Sequence, residues 1–286
     1  MSMSVNTNVM SMNAQRNTIQ NSASMATTLQ RLSSGLRVNG AKDDAAGLAI
    51  ATRMDTQVRG MNVAIRNAND GISLAQTAEA GMSTVTDMLQ RMRELAVQAA
   101  NSTNTTGSGG DVDKLNDEYT QLGAEIQRSL QSVQFNSQNL LSGVAGDFSF
   151  QVGANSGTSQ QITIASGSLN LGGTAVTGVF GTGSASALAT GSNTGNSANL
   201  VAIDAAISAV NTSRAKLGAV QSRFENTISF LRSSVEQQSA AKGRIMDADF
   251  ASETANLSRA QILQQAGTAM ISQANQVPQN VMSLLR

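Results

Sequence analysis

The adjacent carboxylates Asp43 and Asp44 are the first side chains in this chain with the types needed for acid–base or metal chemistry. Neighbouring positions on a helix point apart, so the pair does not converge on one atom. The spacing favours helix-start electrostatics, with both residues in a first turn facing the positive end of the dipole. The 13 methionines offer soft thioether sulfurs that suit copper, yet they recur at helical spacing, where packing is the ordinary role. Gly107-Ser108-Gly109-Gly110 lacks the following Lys-Ser/Thr and the preceding strand of a phosphate loop. Arg91, Arg93 and Glu94 read in isolation as a solvated helix face. The chain has no His and no Cys, so the commonest general base, the commonest metal ligand and any disulfide are all missing. These residues point to no catalytic centre, no metal and no cofactor.

The elements around them explain more. With 286 residues there is room for one large domain or two modest ones. The formal net charge is zero, which provides no field for nucleic acid. No segment has the apolar length of a membrane span, and no membrane insertion is expected. The N-terminus lacks the basic-then-apolar pattern of a general secretory signal. That leaves open export by a machine that reads uncleaved ends. Trp is absent, Tyr119 is the single tyrosine and Pro278 the single proline. A chain so poor in proline permits very long helices.

Apolar residues recur in alternating steps of three and four. The first run is Val5, Val9, Met12, Ile19, Ala23 and Ala26. The second spans Met54 to Ala99 and predicts a helix from about residue 41 to about 100, roughly 85–90 Å at 1.5 Å per residue. Leu115, Tyr119, Leu122, Ile126 and Val133 form a third run, and Ile203 to Val235 a fourth. The last is Leu263, Gly267, Met270, Ala274, Val277, Val281 and Leu284, with Leu285 beside its end. Arg16, Arg214, Gln221 and Gln238 intrude on these stripes, either fixing register or lying at their edges. Residues 142–198 differ, being rich in Gly, Ser, Thr, Ala and Asn with Asp147 as their one charge. Alternation at Phe148, Phe150 and Val152 and again at Ile162 and Ile164 predicts a β-hairpin. The exposed hydroxyls of this stretch read either as plain soluble loop or as sites of O-glycosylation. The expected fold is mainly α, a long antiparallel coiled-coil-like bundle of N- and C-terminal segments with a small β-hairpin and loop in the middle. Each terminal run buries little alone. Packed together and with copies of themselves, the tips would form an apolar layer at about 25 cal/mol per Å², ordering as they assemble.

Several blocks resemble bacterial flagellin. They are Gln30-Arg31-Leu32-Ser33-Ser34-Gly35-Leu36-Arg37-Val38-Asn39, then Ala41-Lys42-Asp43-Asp44-Ala45-Ala46-Gly47, and Arg66-Asn67-Ala68-Asn69-Asp70-Gly71-Ile72-Ser73. Gln90-Arg91-Met92-Arg93-Glu94-Leu95-Ala96-Val97-Gln98, Arg244-Ile245-Met246-Asp247-Ala248-Asp249-Phe250-Ala251 and the closing Gln279-Asn280-Val281-Met282-Ser283-Leu284-Leu285-Arg286 complete the set. The resemblance implies a non-enzymatic, extracellular subunit of the flagellar filament, serving motility and exported unfolded through the flagellar type III channel. It implies inner-tube terminal helices at 1–43 and 246–286, an outer-tube rod at 44–170 and 199–245, and a variable surface loop at 171–198. Implied partners are further copies of the chain, the cap and hook-junction proteins, and an export chaperone at the C-terminal helix. The implied polymerisation residues are Val5, Val9, Met12, Ile19, Leu263, Met270, Ala274, Val277, Val281, Leu284 and Leu285. Gln90, Arg91, Glu94, Leu95, Gln98 and Glu118 match the surface recognised by the vertebrate Toll-like receptor for flagellin. Leu122 stands where a strongly recognised relative carries Arg. A hook–filament junction or other axial flagellar protein is the alternative within the same apparatus.

Overall fold

The computed structural model describes residues 7–142, 146–171, 188 and 193–284, with 193–195 and 277–284 described as backbone. Val5, Leu285 and most of the 171–198 loop therefore lie outside the described residues, as do the side chains of Val277, Val281 and Leu284.

Local chemistry sets the helix boundaries. Helix α1 spans Val9–Ser34. It starts where the Asn8 side chain accepts from the Ser11 backbone N–H at 3.1 Å. It ends at Gly35, whose φ of +70° gives the left-handed turn that returns its N–H to the Arg31 carbonyl at 2.8 Å. Helix α2 covers Ala45–Ala99, so the expected start near residue 41 is corrected. Asp43 and Asp44 precede the helix instead of occupying its first turn. Asp44 accepts from the Gly47 N–H at 2.8 Å through its side chain and from the Leu48 N–H at 3.0 Å through its carbonyl. The Asp43 carboxylate takes the N–H groups of Asn39 and Gly40 at 3.0 and 3.1 Å. Short acidic side chains compete with helix hydrogen bonding in this way, and they cap better than they propagate. Helix α3 is Asp111–Ser132, with Asp111 and Asp113 in its first turn.

Strands β1 (Gln134–Phe135) and β2 (Gln138–Asn139) make a minimal hairpin that the apolar pattern does not signal. Its turn places Asn136 and Ser137 at φ +48° and +62°. That is the conformation of a tight hairpin turn, and Asn tolerates it. Strands β3 (Phe148–Gln151) and β4 (Gln161–Ile164) pair antiparallel, Phe148 opposite Ile164 and Phe150 opposite Ile162, as the alternation predicts. A single turn, α4 (Ser166–Leu169), follows. Helices α5 (Asn193–Met246) and α6 (Phe250–Leu284) complete the chain.

Two compact units result, one from residues 1–58 with 236–286 and one from 59–235. The core of the second joins Leu74, Met82, Leu89, Met92 and Leu95 of α2 to Tyr119 and Ile126 of α3. It also takes in Ile203, Val210, Leu217 and Phe224 of α5 and Ile162 and Ile164 of β4. Within it α2 and α5 run antiparallel. Arg93 donates to Asp204 at 2.7 Å, and Glu79 accepts from Gln221 at 3.1 Å with Arg214 3.9 Å away. Arg214 and Gln221 thus meet one partner and pin the register, whereas Arg16 is exposed and donates to Asn13, a residue of its own helix. Gly71 faces Phe224, which is fully buried and meets Phe150 edge to face at 5.5 Å and 89°.

A Cβ on Gly71 would stand 2.6 Å from the Phe224 ring. Gly71→Val should therefore overpack this contact and cost about 1–3 kcal/mol, read as a lower urea midpoint with the slope unchanged. A midpoint equal to that of the parent would show that α2 and α5 can part without loss.

Candidate functional site

In the unit that contains both chain ends, α1 lies along α6, and small or amide side chains make the seam. Asn8 Nδ2 donates to the Ala274 carbonyl at 2.8 Å, and Asn21 Nδ2 to the Ala260 carbonyl at 2.7 Å. A Cβ on Gly267 would sit 2.8 Å from Thr18 Oγ1. Ser11, Thr28, Glu253 and Ala260 are buried, and Arg31 reaches Glu253 at 3.3 Å. Beyond the helix ends the two linkers pair through a β-bridge between Leu36 and Asp247. There the Arg37 N–H donates to the Met246 carbonyl at 2.6 Å, and the Ala248 N–H to the Gly35 carbonyl at 2.9 Å.

This seam corrects the expectation that the apolar runs pack the two tips together. Side chains that project little let the two backbones approach, so the small stripe takes the inner position. The apolar stripe is turned outward. Val9 is 67 % exposed, Ile19 70 % and Leu263 52 %, with Met12 and Met270 similarly open. Ala274 and Gly267, from the same apolar run, face α1 and belong to the seam. Met10, Leu263 and Met270 line a groove of about 440 Å³ between α1 and α6, floored by Ala14, Thr18 and Gly267. The sequence reading missed the seam of Asn8, Thr18, Asn21 and Arg31. Its signal was a second period of small residues at the same three- and four-residue steps, offset from the apolar one.

In the other unit, α2 and α3 bring together five of the six residues assigned to recognition. Arg91 is the hub, donating from Nε to Glu118 at 2.8 Å and from a terminal nitrogen to Glu94 at 3.0 Å. These bonds, that to Glu118 foremost, hold the Arg91 guanidinium further above its ordinary value. Gln90 and Gln98 flank it, exposed on the same helix. Leu95 is the exception: it is 1 % exposed and packs in the core beneath the cluster. Leu122, one turn beyond Glu118, is half-buried. Exposed ion pairs of this kind contribute little to stability. Their effect is to hold three charged side chains in a fixed arrangement on an open face.

Comparison with known proteins agrees with both halves of the fold. Residues 5–146 match the family described as "Bacterial flagellin N-terminal helical region", and residues 200–285 match "Bacterial flagellin C-terminal helical region". The chain is 44 % identical over 284 residues to a flagellin of Halalkalibacterium halodurans, covering 99 % of this chain and all of that one. It is 39 % identical over 309 aligned positions to a flagellin of Bacillus subtilis, covering 99 % of this chain and all of the relative. Flagellin A of Vibrio cholerae is 35 % identical over 382 aligned positions spanning both chains whole, so that relative carries residues with no counterpart here.

Next to Glu118, Tyr119 is fully buried, and its hydroxyl has no partner among the described residues. Burial pushes its phenol up to about 12 from an ordinary 10.0. The neutral form is favoured in the folded state, so stability is intact below pH 10 and falls as pH rises toward 12. Tyr119→Phe should stabilise the fold by about 1 kcal/mol, because it removes an unsatisfied polar group at nearly constant shape. It should also flatten the alkaline loss, measured by denaturant titration at neutral and alkaline pH. Equal alkaline sensitivity in the variant would assign that loss to other groups.

Proposed function

The chain belongs to the bacterial flagellin family, and we propose that it is the structural subunit of a flagellar filament, polymerising with copies of itself through the outward stripes of α1 and α6. The observation that carries this reading is the inverted packing of the terminal pair. A packed pair of amphipathic helices ordinarily buries its large apolar side chains between the helices. Here Val9, Ile19 and Leu263 stay open while serine, threonine and asparagine take the inner positions. Such a pair gains most of its apolar burial only from further copies, at about 25 cal/mol per Å².

The segments 1–43 and 246–286 then form the inner tube, and 44–170 with 199–245 the outer rod. The expected loop at 171–198 is shortened at its end, because residues 193–198 already belong to α5. Val277, Val281, Leu284 and Leu285 complete the proposed polymerisation set, with their side chains outside the described residues. An export chaperone binds its C-terminal helix, and the subunit leaves the cell unfolded through the flagellar type III channel and folds beneath the cap. In the extracellular filament it serves motility and abuts the hook-junction proteins. The absence of Cys suits this route, because a threaded chain cannot form cross-links. The monomer presents Gln90, Arg91, Glu94, Gln98 and Glu118 to the vertebrate Toll-like receptor for flagellin. Leu95 supports that face from below.

Ile19→Asp tests the assembly reading. Ile19 is 70 % exposed, so circular dichroism of the monomer should be unchanged, while growth from filament seeds should stop because a carboxylate enters an apolar layer. Micrometre filaments from this variant would sink the proposed interface. Failure of the unmodified protein to grow from seeds would instead favour a junction or other axial role. For the receptor, Arg91→Ala should weaken monomer signalling by about tenfold or more, as expected of an anchoring arginine. An unchanged dose–response curve would remove Arg91 from the contact.

A further inference from the structure

The methionines of this chain are not distributed evenly between inside and outside. Met61, Met82 and Met92 are 6 %, 0 % and 0 % exposed. Met25, Met54, Met88 and Met246 are half-buried. Among the described residues only three stand open: Met10 at 69 %, Met12 at 60 % and Met270 at 62 %. All three lie on α1 and α6, and Met10 and Met270 line the same groove between those helices. The shape of a thioether is not what the site requires, since Val9, Ile19 and Leu263 serve the same stripe. What methionine adds is a sulfur that accepts oxygen.

We infer that Met10, Met12 and Met270 are a set of oxidation sites through which hydrogen peroxide disables the free subunit for assembly. This rests on the proposed assembly face. In each reaction a sulfur lone pair attacks one peroxide oxygen, and the O–O bond breaks as an S–O bond forms. The other oxygen leaves as water after a proton shift. The sulfur loses two electrons, and the peroxide gains them. The product is a methionine sulfoxide, which is polar and chiral where the parent side chain was apolar and adaptable. On an exposed helix face that change costs the monomer little. In an apolar layer between copies the sulfoxide oxygen loses its water and gains no donor. The same burial shields the sulfurs once a subunit is incorporated, so free subunits are vulnerable and finished filament is not.

The test uses the full-length chain. Monomer is treated with dilute hydrogen peroxide, and each methionine is followed by peptide mass spectrometry alongside circular dichroism and seeded growth. Met10, Met12 and Met270 should each gain one oxygen well before Met61, Met82 and Met92. Helix content should hold, and the critical concentration for growth should rise about tenfold or more. A mixture of the two methionine sulfoxide reductases should restore growth, and preformed filaments given the same dose should keep these three sulfurs unoxidised. In a variant with Met10→Leu, Met12→Leu and Met270→Leu, growth should be the same before and after peroxide, judged against that variant's own untreated rate. Normal growth of fully oxidised monomer would overturn the inference while leaving the assembly face intact, and so would a triple variant as peroxide-sensitive as the parent. If the triple variant does not grow untreated, reductase rescue of the oxidised parent decides, and no rescue counts against the inference. Growth of Ile19→Asp, by contrast, would remove the assembly face itself.

Discussion

The close approach of α1 to α6 through small and amide side chains is the contact on which the rest depends. Two helices can meet through large apolar residues or through residues that barely project, but one narrow face cannot serve both. Thr18 against Gly267, and Asn8 and Asn21 against backbone carbonyls, take the inner position. Val9, Met12, Ile19, Leu263 and Met270 are thereby left facing out. A monomer built this way forgoes part of its own apolar burial.

The other unit follows the opposite rule. Its large apolar residues are inside, and polar residues set which turn of α5 meets which turn of α2. Arg93 with Asp204, and Glu79 with Arg214 and Gln221, hold that register. Slipping α5 by one turn would separate each pair and drive Phe224 away from Gly71, whose missing side chain leaves space for its ring. Small exposed pairs stabilise weakly, yet they discriminate between registers that a smooth apolar seam would accept equally. A subunit that must repeat many times identically has reason to specify register this tightly.

The polar cluster around Arg91 belongs to the same design. Its members sit on the solvent side of α2 and α3, and the helix beneath is held by Leu89, Met92 and Leu95. The guanidinium is positioned by Glu118 and Glu94, so the face is preorganised before any partner arrives.

Much of this protein is legible from sequence. Helix periodicity, the shortage of proline, and the alternation at Phe148–Val152 and Ile162–Ile164 together define a mainly helical chain with one predicted hairpin. Those properties are local, and each residue carries them wherever the helix lies. Direction is not local. The apolar stripe of α1 reads the same whether it faces α6 or solvent, and only the packed pair shows that a second, smaller stripe wins the inner place. For the same reason Leu95, inseparable in sequence from Arg91 and Glu94, proves to be core. Asp44 caps α2 and Asp43 closes the turn before it, each through N–H groups three or four residues away, a local competition that apolar spacing does not register. Which face of a helix is spent on its neighbour depends on both helices at once, and no single stretch of sequence contains that information.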